Sequence, residues 1–144
     1  MPKDTFMGYL RLDGSVGVRN RVAIIPSCGC ANHAAKLIAN KVPGAMLLDY
    51  TGGCGETGLD ITLATRLLSQ YGRHPNVIGS VVVSLGCESL NAAELAASAG
   101  AGWAGAELVG IQQSGSTRAA VEKGVAIAQR MLADVDKWQR TPQP

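Results

Sequence analysis

The sequence predicts an α/β fold. This is a three-layer domain of the Rossmann or flavodoxin type, with a four-stranded parallel sheet, helices on both faces and a short N-terminal arm. Three observations predict it. Four short apolar runs alternate with four segments of helical periodicity along the 144 residues. The runs are dominated by Val, Ile, Leu and Ala, as strands buried on both faces must be. Residues that end helices, such as Gly44, Gly72 and Gly100, fall between the helical segments and the next run.

Taken in order, residues 1–20 carry scattered turn signals (Asp13-Gly14, Gly17) and the polar pair Arg19-Asn20. They read as an extended arm or a hairpin laid against the main body. The domain proper spans 21–138. Its apolar runs are Val22–Ile25, Ala45–Leu48, Val77–Leu85 and Glu107–Ile111. Each is too short for a helix and rich enough in aliphatic residues for a strand.

The helical segments follow them. Ala31–Asn40 and Glu88–Ser98 are Ala-rich, and Leu59, Leu63 and Leu67 form one stripe at i, i+4, i+8. Val121, Val125, Ala128, Leu132 and Val135 give the longest helix a single apolar face. Strand and helix alternating in this way imply right-handed crossovers and a parallel sheet. Residues 139–144 read as a frayed tail.

Composition excludes several classes. The net charge of +2 and 17% charged residues are too mild for a nucleic-acid or membrane-surface partner. No run of 18 apolar residues reads as a membrane span, and the start of the chain does not read as a secretory signal. The cytoplasm is the expected compartment, where structural disulfides are rare. Cys28, Cys30, Cys54 and Cys87 then read as buried filler, nucleophiles or metal ligands.

In open α/β sheets the ligand site lies beyond the carboxyl ends of the strands. Three of the four strand ends hold a Gly-Cys pair: Gly29-Cys30, Gly53-Cys54 and Gly86-Cys87. Glycine permits close approach of the backbone, and a thiol at a helix N-terminus is expected to have a lowered pKa. Buried filler is the plainer reading of any one cysteine. Three at equivalent positions favour a shared site with Cys30, Cys54 and Cys87 as soft ligands and Cys28 as a neighbour. Such a set suits an iron–sulfur cluster, mononuclear iron or zinc, with one position open for a substrate oxygen.

Glu56 and Glu88 stand beside candidate ligands. Each reads as an acid or base with a pKa raised by burial, or as a first-turn helix carboxylate. The segment Ser114–Thr117 opens the long helix, either as an anion site or as an ordinary cap. His33 and His74 read as solvated helix and loop residues. No Gly-x-Gly-x-x-Gly or Walker motif supports a nucleotide.

Several motifs together resemble one family. They are Gly8-Tyr9-x-Arg11-x-Asp13-Gly14-x-Val16-Gly17-Val18-Arg19-Asn20, Pro26-Ser27-x-Gly29-Cys30-Ala31-Asn32, Gly53-Cys54-Gly55, His74-Pro75-Asn76-Val77, Leu85-Gly86-Cys87-Glu88 and Ile111-Gln112-x-x-Gly115-x-Thr117. The run is similar to the second domain of the altronate and galactarate dehydratases, a domain shared with sulfolactate sulfo-lyase large subunits.

That resemblance implies a hydro-lyase eliminating water from a sugar acid or related hydroxy acid. It implies iron as the cofactor, as mononuclear Fe2+ or an iron–sulfur cluster, with manganese or zinc the weaker choices. It marks Arg19, Asn20, Asn32 and Thr117 as substrate-binding candidates, Glu88 as a catalytic one, and Cys30, Cys54 and Cys87 as site residues. Glu56 joins Glu88 as the second catalytic candidate. Family members often carry His near Tyr50 and Gln at Glu56. They also carry further domains, so the chain is expected to need a separate subunit or domain, with room for a homo-oligomer. The alternative is a non-catalytic, metal- or cluster-carrying partner subunit that is inert alone.

Overall fold

The computed structural model describes residues 4–133 and 135–144. The first three residues of the predicted arm, and Asp134 of the predicted domain, lie outside the described residues. The four expected strands form as β3 (Arg21–Pro26), β4 (Ala45–Leu47), β5 (Val77–Ser84) and β6 (Gly105–Gly110). They pair in parallel in the order β4-β3-β5-β6. The chain leaves β3 toward one edge and later crosses back to the other. The order therefore reverses between β3 and β5, the crevice where such sheets bind ligands.

Both faces are covered. Val22 and Ile24 of β3, with Val81, Val83 and Val109, pack under α1 (Asn32–Lys41) and α4 (Thr117–Ala133). Ala23, Ile25 and Val82 point the other way, against α2 (Leu59–Gly72) and α3 (Ala92–Ala99). The period-2 alternation of side chains across a strand splits these runs between two cores.

Some details depart from expectation. The third helix starts at Ala92 rather than Glu88, because Asn91 Oδ1 accepts hydrogen bonds from the Ala93 and Glu94 amides at 3.1 Å and so caps it there. Helix α2 buries Ala64 and Leu68, while its Leu59-Leu63-Leu67 stripe faces outward.

The N-terminal arm is a hairpin of β1 (Phe6–Leu10) and β2 (Val16–Gly17). The tail expected to fray instead supplies β7 (Thr141–Gln143), antiparallel to β1. The pairing is non-local, so no apolar periodicity announces it. Arg11 ties these pieces together and is only 2% exposed. Its Nε donates to Pro75 O at 2.8 Å, and its Nη2 donates to Arg19 O at 2.9 Å and Asn20 Oδ1 at 2.7 Å. Its guanidinium lies 4.3 Å from the Trp103 ring centroid and 5.1 Å from that of Trp138. No helix among the described residues is long and apolar enough to cross a membrane.

Candidate functional site

The loops after β3, β4 and β5 meet at the carboxyl edge and are bonded to one another. Gly29 N donates to Gly52 O at 2.9 Å, and Ser89 N donates to Gly53 O at 2.9 Å. Glycine is needed at the centre. A Cβ on Gly53, whose φ is +89°, would lie 2.3 Å from Ser27 O, and one on Gly29 would lie 2.9 Å from Thr51 O. Gly29 and Gly53 are thus places where one loop passes against another.

Cys30, Cys54 and Cys87 are exposed on these loops, and Cys28 is buried. Cys54 lies within interaction range of both Cys28 and Cys30. Partial desolvation of its sulfur, with those two neighbouring thiols, pushes its pKa up to about 11. This corrects the expectation of a thiol acidified by a helix N-terminus. Cys54 sits five residues before α2 begins at Leu59, too far for its free N–H groups to act. Cys87 is carried by the adjoining loop. Among the described residues, no three His, Cys, Asp or Glu side chains are gathered as a set that could hold a metal ion. The donors nonetheless fit a soft cation in kind, since thiolates are what iron and zinc select.

Glu88 stands over the crevice between β3 and β5. Ser27, fully buried at the end of β3, donates from Oγ to Glu88 Oε1 at 2.5 Å, and Gly86 N donates to Oε2 at 2.6 Å. Burial alone would raise its pKa, but the bonds from Ser27 and the backbone amides outweigh it and hold the carboxyl below its ordinary value. Glu88 is therefore a fixed carboxylate and not the raised-pKa acid that burial suggested. Nor is it a first-turn helix residue, since α3 starts at Ala92.

Glu56 also precedes its helix. Both its oxygens lie 2.9 Å from the Tyr50 hydroxyl, which donates to the carboxylate. Desolvation, reinforced by that carboxylate, pushes the Tyr50 phenol up to about 12. The pair closes the loop over Gly52. Asn32 brackets the same loop. Its Nδ2 donates to Tyr50 O at 2.8 Å, and its Oδ1 accepts from Tyr50 N at 3.3 Å. Its amide is engaged in holding backbone.

The remaining candidates lie elsewhere. Asn20 receives Arg11 near the amino end of β3. Arg19 lines a groove there with Arg21, Met46, Tyr71 and His74. Thr117 opens α4, where Ser116 Oγ accepts from Ala119 N at 3.1 Å and acts as the cap. Thr117 lines a shallow pocket with Leu37, Lys41 and Arg118, none from the cysteine loops. His33 is exposed on α1. Sequence reasoning passed over Ser27 and Tyr50 as polar contributors. The available signal was a serine closing an apolar strand and a tyrosine following another.

The family description "D-galactarate dehydratase/Altronate hydrolase, second domain" matches residues 8–136. The chain belongs to this family, as its second domain. The chain is 36% identical over 91 residues to the altronate dehydratase of Escherichia coli (strain K12), covering 56% of the chain and 18% of that relative. It is 37% identical over 81 residues to the (2R)-sulfolactate sulfo-lyase subunit beta of Chromohalobacter salexigens, covering 56% and 21%. It is 33% identical over 95 residues to the altronate dehydratase of Bacillus subtilis (strain 168), covering 59% and 19%. The aligned part thus spans about a fifth of the length of each of these relatives. No solved structure matches it.

Proposed function

We propose that this chain is the metal-holding domain or subunit of a hydro-lyase that eliminates water from a sugar acid or related hydroxy acid. One observation motivates the reading: the loops that bear Cys30, Cys54, Cys87 and Glu88 are hydrogen-bonded to one another beside the point where strand order reverses. The names of the relatives supply the reaction class. Cys30, Cys54 and Cys87 are the proposed ligands of iron, either as Fe2+ or as an iron–sulfur cluster. When bound, iron would supply Lewis acidity toward substrate carboxylate and hydroxyl oxygens.

The chain's own residues have distinct roles in this reading. Glu88, oriented by Ser27 and Gly86, is the acceptor for the proton on the carbon next to the carboxylate. Its lowered pKa makes it a base of modest strength. Most substrate contacts are assigned to a separate domain or subunit. Tyr50, Glu56 and Asn32 hold the Cys54 loop in place. Exposed free thiols suit a reducing compartment such as the cytoplasm.

The distance of Arg19 and Asn20 from the cysteine rim also favours the second reading, a metal-carrying partner that is inert alone. Iron and sulfide analysis of protein purified without oxygen tests what the two readings share. Serine at Cys30, Cys54 or Cys87 should each abolish iron binding, and Cys28→Ser should leave it intact. Metal-free wild-type protein, or equal loss from Cys28→Ser, would overturn the ligand assignment. Turnover of hydroxy acids by the chain alone would exclude the second reading.

A further inference from the structure

Cys28 is fully buried and takes no part in the proposed ligand set, so the lyase reading leaves one nucleophilic side chain unused. It lies where the loop after β4 crosses the loop after β3. A Cβ built on Gly53 would stand 2.8 Å from both Cα and Cβ of Cys28, so only a bare glycine lets the two chains pass this closely. The next residue is Cys54, whose thiol is within side-chain hydrogen-bond range of Cys28. Gly29 N donates to Gly52 O and Ser89 N to Gly53 O, both at 2.9 Å, which fixes the crossing.

We propose that Cys28 and Cys54 are a redox pair: on exposure to peroxide they form a reversible disulfide that ties the two loops together and withdraws Cys54 from any metal. The loss of metal rests on Cys54 being a ligand; the bond itself does not. A disulfide needs Cβ atoms about 3.5–4.5 Å apart, and loops already in contact reach that with little backbone movement. Cys30 is also in range of Cys54, but two features favour Cys28. Cys30 is exposed within the short 3-10 turn Gly29–Ala31, whereas the Cys28 side chain lies against the backbone at Gly53. Burial also shields Cys28 from the oxidant, so it is still a thiol when the exposed Cys54 has reacted.

The Cys54 thiolate attacks one peroxide oxygen, the O–O bond breaks, and hydroxide leaves, with Cys54 now a sulfenic acid. Cys28 then attacks that sulfur. The S–S bond forms, the S–O bond breaks, and the hydroxyl leaves as water with the Cys28 proton. The two sulfurs lose two electrons and the peroxide gains them, giving two waters in all. The raised pKa of Cys54 keeps its thiolate scarce, so sustained peroxide rather than a brief pulse drives the pair.

The test treats the full chain, purified reduced and metal-free, with hydrogen peroxide, alkylates it under denaturing conditions and maps it by tandem mass spectrometry. A Cys28–Cys54 link that a phosphine reductant reverses is expected. Cys28→Ser should abolish it, and Cys30→Ser should leave it. Peroxide-treated wild type should lose Zn2+ uptake, and the phosphine should restore it. A Cys28 that stays reduced while Cys54 advances to sulfinic acid, or a Cys30–Cys54 link in the wild type, would overturn the proposal and return Cys28 to the core as filler. Reduced protein that forms the link but binds no Zn2+ would refute the ligand reading and leave the redox pair standing. Zn2+ uptake without any link would do the reverse.

Discussion

Replacing Gly53 with alanine tests how the cysteine loops are assembled. At φ +89° a non-glycine residue carries a backbone penalty of about 1 kcal/mol. The new Cβ would also stand 2.3 Å from Ser27 O and 2.8 Å from Cys28 Cα, both atoms of a backbone that cannot swing aside. Overpacking of this kind adds about 2–3 kcal/mol. Gly55→Ala is the control. Its φ of +74° carries the same penalty, but nothing lies within 4 Å of the added Cβ, so it should cost only about 1 kcal/mol. Urea unfolding followed by circular dichroism gives both values. Alkylation of Cys54, resolved by mass spectrometry, should accelerate in Gly53→Ala alone as its loop leaves the β3 loop. Equal costs for the two variants, with Cys54 reactivity unchanged, would refute the close passage of these loops.

Two further outcomes follow from the same rim. Asn32→Ala should lose about 1–2 kcal/mol in urea unfolding, because both backbone groups of half-buried Tyr50 lose their partner; a neutral result would return Asn32 to the substrate. Tyr50 has a folded-state pKa raised to about 12 by desolvation and the Glu56 carboxylate. Its contribution to stability is fully present below the ordinary phenol value and is lost as pH rises toward 12. Phenolate absorbance should show a late-titrating component that Tyr50→Phe removes, and its persistence in that variant would refute the assignment.

The four strands of the sheet were legible because each is a run of aliphatic residues buried on both faces, a pattern no exposed segment sustains. The sulfur-bearing loops were legible for a related reason: topology alone puts Cys30, Cys54 and Cys87 beyond the carboxyl ends of strands. Individual roles were less so. Asn32 and Glu56 looked like groups aimed at a substrate, yet they bond to Tyr50, a partner 18 and 6 residues away that no local pattern names. Glu88 near a strand end suggested a burial-raised pKa, but the sign is set by Ser27, 61 residues distant.

By itself, then, the sequence determined the alternation of strands and helices, the edge of the sheet that bears the Gly-Cys loops, and family membership. These depend on local periodicity and motif order. Only the tertiary structure decided that the C-terminal residues pair with β1, that Arg11 is enclosed by two tryptophans, that Arg19 and Asn20 lie away from the sulfurs, and that the leucine stripe of α2 faces outward. Each of these rests on contacts between distant segments. A helix with apolar residues on both sides does not itself say which side meets the sheet; here the choice fell to Ala64 and Leu68, and the larger ridge was left exposed.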